Sequence, residues 1–342
     1  MADTLPILGI FGHHNAGKTT LIEQLLPHLA GQGLAVAVAK VHGADVEIDV
    51  PGKDSDRLYR AGADVWMQGR AEGFFRQHGG ADEKALAWRL ADLARQYDVV
   101  LVEGRRPAAC DKVWLLGEGE TAPPPDAGRV LAVLARGDGR ARAARGVLDG
   151  WLARQWLEMP VYACVLIGGK SSRMGRPKHL IESGGRTWLE RTVGLLGTVA
   201  ARVVIAGDGC VPESLSAVAR LADAPEAEGP MAGVLAAMRW APDASWLVAA
   251  CDLPNLSAEA LGWLLATRAP GVWATLPRLP GATGVEPLLA HYDPRARGLI
   301  ERLPGEGNFR LSALARHPKV ISPTPPANLA PAWTNANTPA DL

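Results

Sequence analysis

"LPILGIFGHHNAGKTTLIEQLL", residues 5–26, joins an apolar run to an amphipathic segment through a loop that contains two glycines. The opening run is apolar and ends at glycine, which is typical of a buried strand. After the loop, Leu21, Leu25 and Leu29 recur at helical spacing, so they predict a helix with one apolar face. A strand, a loop and a helix in this order predict the start of an α/β sheet.

The same alternation continues through both halves of the chain. Strand-like runs at residues 34–41 and 98–104 flank a helical segment at 85–97, and a new series of strands and helices starts at "VYACVLIGG", residues 161–169. Alternating strands and helices predict parallel sheets with helices on both faces. We therefore predict two three-layer α/β/α domains, residues 1–157 and 158–342.

Composition excludes several classes of protein. The 342 residues contain 36 Lys and Arg and 36 Asp and Glu, so the formal net charge is zero. Such a balance does not suit a nucleic-acid-binding protein, which carries a basic surface. The four cysteines form no CxxC pair, and no apolar run is long enough for a membrane span or a signal peptide. We predict a cytoplasmic protein with reduced thiols.

The first loop matches the phosphate-binding pattern G-x-x-x-x-G-K-[ST] at residues 12–19. Its glycines let backbone N–H groups surround phosphates, and the following helix adds the positive end of its dipole. Lys18 suits the β- and γ-phosphates, and the Thr19 hydroxyl suits Mg²⁺. This P-loop predicts nucleotide binding by Gly12, Asn15, Ala16, Gly17, Lys18, Thr19 and Thr20.

Two carboxylates flank the strand "VVLV" in the first half. Asp98 precedes it and Glu103 follows it, and we expect an acidic group here to meet the P-loop metal, with Glu103 and Thr19 as Mg²⁺ ligands. No N-K-x-D motif follows, so the residues alone leave guanine and adenine open for this domain.

The second loop, "LIGGKSSRMGRPK" at residues 166–178, has a different design. Gly168 and Gly169 allow a nucleotide to approach the backbone closely, and Ser171 can donate to a phosphate. Arg173 and Lys178 supply positive charge where a departing pyrophosphate needs it. We predict that both cations are catalytic.

Two carboxylates complete this second site. Asp252 ends the apolar strand in "VAACDLPN", and ligands of α/β sheets bind at the carboxyl ends of strands. Asp252 is therefore the predicted Mg²⁺ ligand and a third catalytic residue, and Asp223 is a further nucleotide contact. The predicted nucleotide-binding residues of the second domain are Leu166, Gly168, Gly169, Ser171, Lys178, Asp223 and Asp252.

These motifs carry two family resemblances. The P-loop, "AKVHG", "DVPGKDSDRLYRAGA" and "DVVLVEG", in this order over residues 5–157, resemble MobB, the adaptor of molybdopterin-guanine dinucleotide biosynthesis. The second loop, "GPMAG" (229–233), "CDLP" (251–254) and "NANTPADL" (335–342) resemble MobA, the molybdenum cofactor guanylyltransferase. The resemblances imply a P-loop NTPase sheet followed by a Rossmann-like nucleotidyltransferase sheet.

They also imply a function. A MobA-like domain joins GMP from GTP to molybdopterin with Mg²⁺ and releases pyrophosphate, and Asn335 and Asn337 lie on its pterin side. A MobB-like domain binds GTP, hydrolyses it weakly and assists a partner enzyme. The family further implies molybdoenzymes or their chaperones as recipients and a homodimer through the N-terminal domain, with no nucleic acid or membrane partner.

Three alternatives stay open. Pro177 stands where guanylyltransferases tend to have aspartate, and "MGRPK" is closer to the cytidylyltransferase relative MocA, so CTP competes with GTP as the substrate. A nucleotidyltransferase with another acceptor, such as a sugar phosphate, is the second alternative. The third is a non-catalytic GTP-switch adaptor whose second half only binds cofactor.

Overall fold

The computed structural model describes residues 5–41, 49–78, 83–104, 110–168 and 177–336. The chain divides into two compact units, Met1–Trp151 and Leu152–Leu342. The division falls inside one long helix, Arg140–Glu158, which also contains the boundary predicted from the sequence.

The first unit alternates strands and helices, and the P-loop lies between its first strand and its first helix. Its elements, in chain order, are β1 (Ile7–Gly12), α1 (Lys18–Gly31), β2 (Val36–Lys40), α2 (Asp54–Arg60), β3 (Val65–Gln68), β4 (Gly73–Arg76), α3 (Glu83–Ala94), β5 (Val99–Gly104), β6 (Asp111–Leu115), β7 (Val130–Leu134) and α4 (Arg140–Glu158).

Five of these strands form one parallel sheet in the order β2-β5-β1-β6-β7. Helices cover both faces: Leu90 and Ala94 of α3 pack with Val100 and Val102 of β5, while the buried leucines of α1 belong to a helix that contacts β1, β2 and β5. The remaining strands, β3 and β4, form a separate antiparallel hairpin that the sequence pattern did not predict.

The second unit contains more strands and several short 3₁₀ helices. Its strands and α-helices are β8 (Val161–Leu166), β9 (Glu182–Ser183), β10 (Arg186–Thr187), α5 (Trp188–Leu196), β11 (Arg202–Ala206), β12 (Ala219–Leu221), α6 (Pro230–Trp240), β13 (Ser245–Ala250), α7 (Ala258–Ala266), β14 (Ala274–Thr275), β15 (Leu289–Tyr292), α8 (Ala296–Arg302) and β16 (Val320–Ile321). The 3₁₀ helices are Lys178–Leu180, Glu213–Leu215, Pro304–Glu306, Leu311–Arg316 and Ala330–Trp333.

Seven of these strands form a mixed sheet in the order β12-β11-β8-β13-β15-β14-β16. The parallel part, from β12 to β13, agrees with the prediction. The sheet is mixed because β15 runs antiparallel to both of its neighbours. No α-helix connects β14 to β15, and a chain that makes no helical crossover can reverse its direction.

Apolar side chains alternate across this sheet and build a core on each face. Cys164, Val204 and Val248 face one cluster, which includes residues of α6 and α8. Val165, Ile205 and Ala249 face the other, which includes residues of α5 and α7. The unit is therefore a three-layer α/β/α structure, as predicted.

The end of the described chain returns to the sheet edge where β8 and β13 end. The indole nitrogen of Trp333 donates to the carbonyl oxygen of Leu289 at 2.8 Å. Ala336 is buried in a small cluster with Ile181 and Trp188. Its amide nitrogen donates to the carbonyl oxygen of Asp252 at 3.0 Å. We refer to residues 333–336 as the tail segment.

No helix among the described residues is long and apolar enough to cross a membrane.

Candidate functional sites

The P-loop lies between the carboxyl end of β1 and the start of α1, as the sequence predicts. Gly17 precedes α1 with a left-handed φ of 85°, and Asn15, at 59°, is the one non-glycine residue of the described chain with a positive φ. A Cβ on Gly12 would lie 2.5 Å from the carbonyl oxygen of Leu115. Glycine is therefore required sterically at position 12.

The polar side chains of this loop converge on one edge of the sheet. Lys18 Nζ donates to the carbonyl oxygens of Gly12 and His13 at 3.0 and 2.7 Å. Thr19 Oγ1 donates to Glu103 Oε1 at 2.8 Å, although 84 residues separate them. Of the other predicted contacts, Ala16 is buried and Thr20 is exposed in the first turn of α1.

Thr19 and Glu103 fit a magnesium ion. They bring a hydroxyl and a carboxylate oxygen together beside the P-loop, and Mg²⁺ prefers such hard oxygen ligands. Asp98, the other carboxylate that flanks the strand "VVLV", lies away from Thr19 and Glu103. Asp98 lies before β5, at the opposite end of a parallel strand, and its carboxylate accepts from the amide of Ala35 at 2.7 Å.

Arg140, the first residue of α4, hydrogen-bonds to the P-loop backbone. Its guanidinium donates to the carbonyl oxygens of Ala16, Leu116 and Ala135 at 2.6, 2.9 and 2.7 Å. Burial, and then the charge of Arg136, lowers the pKa of Arg140 from its ordinary value. No sequence motif indicates Arg140, because it lies 124 positions beyond Ala16.

The second site lies where β8 and β13 end side by side. The two strands are parallel and in register, with Leu166 opposite Ala250. Asp252 follows β13, and Lys178 begins the 3₁₀ helix after the second loop. Lys178 Nζ donates to Asp252 Oδ2 at 2.8 Å, and both side chains are about one-fifth exposed (20% and 18%). The structure thus brings together two of the three predicted catalytic residues as an ion pair.

Three further predicted contacts of this site, Leu166, Gly168 and Asp223, lie among the described residues. Gly168 has a left-handed φ of 101°, and a Cβ added to Gly233 of α6 would lie 2.6 Å from Leu166 Cδ2 and 3.4 Å from Asp223 Oδ1. Leu166 and Asp223 are therefore neighbours beside the start of α6. Burial, and then the nearby Asp208 carboxylate, raises the pKa of Asp223.

Four predicted residues lie outside the described residues: Gly169, Ser171, Arg173 and Asn337. Asn335 is exposed and precedes Ala336, whose amide donates to the carbonyl oxygen of Asp252. Asn335 is therefore one residue from the backbone contact between the tail segment and Asp252.

Asp252 also fits a magnesium ion. Among the described residues, no group of three or more His, Cys, Asp or Glu side chains is arranged to hold a metal. Mg²⁺ sites that act on nucleotides often use one or two carboxylates and complete their ligands with substrate phosphates. A single carboxylate at a strand end beside a lysine agrees with that type of site.

Two family models match the chain, one in each half. "Molybdopterin guanine dinucleotide synthesis protein B" matches residues 7–136, and "MobA-like NTP transferase domain" matches residues 163–320. The first match contains the P-loop and Glu103, and the second contains Lys178 and Asp252.

Curated relatives agree with this division. A molybdopterin-guanine dinucleotide biosynthesis adapter protein of Haemophilus influenzae is 34% identical over 139 residues, which are 39% of this chain and 76% of the relative. A "probable molybdenum cofactor guanylyltransferase" of Pelotomaculum thermopropionicum is 32% identical over 193 residues, 52% of this chain and 88% of the relative. A molybdenum cofactor biosynthesis bifunctional protein of Synechocystis is 31% identical over 150 residues, 42% of each chain.

Each half of the chain thus matches its own family, with its predicted motif at the carboxyl edge of its own sheet. The chain belongs to the MobB family through its first unit and to the MobA-like NTP transferase family through its second.

Proposed function

We propose that the second unit is a molybdenum cofactor guanylyltransferase. A terminal phosphate oxygen of molybdopterin attacks the α-phosphorus of GTP and forms a new P–O bond. The bond between the α-phosphorus and its bridging oxygen to the β-phosphate breaks, and pyrophosphate leaves with that electron pair. The product is molybdopterin guanine dinucleotide. The observation that carries the proposal is the Lys178–Asp252 ion pair at the carboxyl edge of a MobA-like sheet.

The two charged side chains have separate tasks in this reaction. Lys178 donates to phosphate oxygens and offsets the negative charge that grows on the departing pyrophosphate. Asp252 would hold Mg²⁺, which when bound supplies Lewis-acid polarisation of phosphate oxygens. Their hydrogen bond of 2.8 Å keeps both groups oriented before substrate arrives. A transfer reaction that relies on such positioning needs no covalent intermediate with the protein.

Gly168 and the glycine it precedes in the sequence let the nucleotide approach the backbone at the end of β8. Arg173 would add a second cation to the triphosphate, and Ser171 a hydrogen bond. Asn335 and Asn337 would bind on the pterin side, where the tail segment meets the carbonyl oxygen of Asp252.

For the first unit, we propose GTP binding with weak hydrolysis. Lys18 would contact the β- and γ-phosphates, and Thr19 and Glu103 would hold Mg²⁺. This unit would assist delivery of the dinucleotide to molybdoenzymes or their chaperones, and would form the contact of a homodimer. The four cysteines are free thiols, which suits a reducing compartment, so we assign both activities to the cytoplasm.

The proposal is tested with the full chain, molybdenum-loaded molybdopterin, Mg²⁺ and GTP, CTP or ATP in turn, by measuring dinucleotide and pyrophosphate. We expect product from GTP. Product from CTP alone would contradict the assignment to a guanylyltransferase.

Asp252→Asn separates the enzyme from a cofactor-binding switch protein. We expect this variant to lose pyrophosphate release by about 10²-fold or more, because removal of one charge-stabilising group costs that much in related chemistry. Glu306→Gln, the corresponding carboxylate-to-amide change at an exposed position of a 3₁₀ helix, serves as the control. Unchanged pyrophosphate release in Asp252→Asn would contradict the assigned role.

A further inference from the structure

Two neighbouring side chains connect one short turn of the second unit to two different strands. The turn is the 3₁₀ helix Lys178–Leu180, which follows the second loop. Lys178 Nζ donates to Asp252 Oδ2, just after β13. His179 has its Nε2 2.9 Å from the carbonyl oxygen of Cys210, in the loop after β11. Because β8 lies between β11 and β13 in the sheet, these contacts join the turn to the strands on both sides of β8.

The contact with Cys210 defines one proton on the His179 ring. A carbonyl oxygen only accepts hydrogen bonds, so Nε2 carries the hydrogen and donates it. His179 is buried, with 4% of its surface exposed. A displaced turn would leave this N–H group inside the protein without a partner, which is unfavourable. The hydrogen bond therefore stabilises one position of the turn.

The loop after β11, residues 207–210, is itself held by close backbone packing. A Cβ on Gly207 would lie 2.1 Å from the carbonyl oxygen of Ile167, and one on Gly209 would lie 2.9 Å from the ring of His179. Glycine is the residue that permits such approaches. Arg220 also donates to the carbonyl oxygen of Gly209 at 2.9 Å. His179 therefore bonds to a loop that packing and a further hydrogen bond keep in place.

The two contacts of the turn differ in what happens when substrate binds. The ammonium group of Lys178 is the group that the proposed reaction directs at phosphate oxygens, so substrate competes for it with Asp252. The hydrogen bond from His179 to Cys210 uses no group that the proposed reaction assigns to substrate or Mg²⁺. It can therefore keep the backbone of Lys178 in place during the reaction, when the ion pair alone would not.

We propose that His179 is a positioning residue for the transferase. Its Nε2–H bond to the carbonyl oxygen of Cys210 fixes the turn, and the turn holds Lys178 where its ammonium group stabilises the departing pyrophosphate. This inference rests on the proposed function and adds to it a residue that acts through Lys178.

The test compares two amide side chains of different length. The side-chain nitrogen of glutamine is the same number of bonds from Cα as the Nε2 of histidine, so His179→Gln keeps a donor within reach of Cys210. The side chain of His179→Asn is one methylene shorter and loses that reach. We measure kcat and KM from pyrophosphate release by the full chain with molybdenum-loaded molybdopterin, Mg²⁺ and GTP. Pyrophosphate reports the transferase alone, since hydrolysis at the P-loop releases inorganic phosphate.

We expect His179→Asn to lower kcat by about 10-fold and to change KM for GTP by less than about 3-fold, because misplacing Lys178 weakens an interaction that grows in the transition state. His179→Gln should keep kcat within about 3-fold, because the hydrogen bond is retained. His317→Asn is the matched control, since it makes the same change beside β16 at the far edge of the sheet, and it should alter neither value.

A double-mutant cycle with Lys178→Ala separates positioning from a loss of folded protein. If His179 acts through Lys178, His179→Asn should lower kcat no further once Lys178 is alanine. A smaller fraction of folded protein would instead lower the rate by the same factor in both backgrounds.

Three results would overturn the inference: an unchanged kcat in His179→Asn, the same loss in His179→Gln, or an equal loss with and without Lys178→Ala. In each case GTP-dependent transfer by the unaltered protein would leave the proposed function standing. If the unaltered protein uses CTP and not GTP, the proposed function fails, and the same variants measured with CTP decide the role of His179.

Discussion

At the scale of single residues, His291 shows how burial controls charge in the second unit. It lies in β15 with 1% of its surface exposed, and within the described residues neither ring nitrogen has a hydrogen-bond partner. Burial, and then the charge of Arg268, lowers the pKa of His291 to about 3 from 6.5. The folded unit therefore holds a neutral imidazole at neutral pH.

This depressed pKa makes stability depend on pH. The unfolded chain binds a proton as pH falls below 6.5 and the folded chain does not, so the free energy of unfolding decreases from pH 6.5 towards pH 3. At pH 5 the loss is about 2 kcal/mol, at roughly 1.4 kcal/mol per pH unit. Native-state hydrogen exchange of β13 and β15 amides at pH 7.5 and 5 measures it.

His291→Leu should remove this pH dependence, because no titrating group remains at the site. It should also leave stability at pH 7.5 nearly unchanged or improved, since an apolar side chain replaces a buried polar group without partners. The same loss of protection at pH 5 in both proteins would show that another group is responsible.

At the scale of elements, the N-terminus of α4 fixes the shape of the P-loop. Arg140 bonds three carbonyl oxygens with one planar guanidinium, a geometry that a lysine ammonium does not reproduce. Arg140→Ala and Arg140→Lys should each raise KM for GTP in inorganic-phosphate release by about 10-fold, the effect of losing the one hydrogen bond to a P-loop carbonyl oxygen, that of Ala16. Arg142→Ala, an exposed arginine on the same helix, is the control. Equal KM values in all variants would exclude a role for Arg140 in the P-loop.

The tail segment is a second element that supports a site, here the site of Lys178 and Asp252. Ala336 is 1% exposed between Ile181 and Trp188, so a carboxylate there would be buried without a partner, which costs several kcal/mol. Ala336→Asp should release the tail segment from Asp252 and lower kcat for dinucleotide formation by about 10-fold or more. Thr334→Asp, an exposed position in the same segment, should keep near-normal kcat. Matching losses in both variants would mean that charge alone, and not packing, causes the effect.

The elements also show which features the sequence predicts. The P-loop and the ends of β8 and β13 follow from local patterns, since apolar periodicity and glycine spacing act within a few residues. The sequence led us to expect Thr19 and Glu103 at one site. It did not indicate the Lys178–Asp252 ion pair, the hydrogen bonds of Arg140 to the P-loop, or the contact of His179 with the loop after β11. These contacts join residues distant in the sequence, and no periodic signal encodes them. The antiparallel β15 was missed for the same reason.

At the scale of the whole molecule, the two units carry separate candidate sites of different construction. The first has a P-loop with Lys18, and the second has an ion pair between a lysine and a carboxylate. We expect Lys18→Ala to abolish inorganic-phosphate release from GTP and to retain pyrophosphate release with purified cofactor within a few-fold. Asp252→Asn should do the reverse. Loss of both products in either variant would show that the two activities are coupled.

The loop that follows β11, residues 207–210, has a consequence for chemical labelling. Cys210 is exposed, whereas burial raises the pKa of Cys110 to about 11 and the pKa values of Cys164 and Cys251 to about 12. The thiolate is the nucleophile that attacks an alkylating reagent, so we expect the exposed Cys210 to be modified first. A fluorophore at this position would lie beside His179, the residue that follows Lys178, and we expect it to report nucleotide binding without an engineered cysteine.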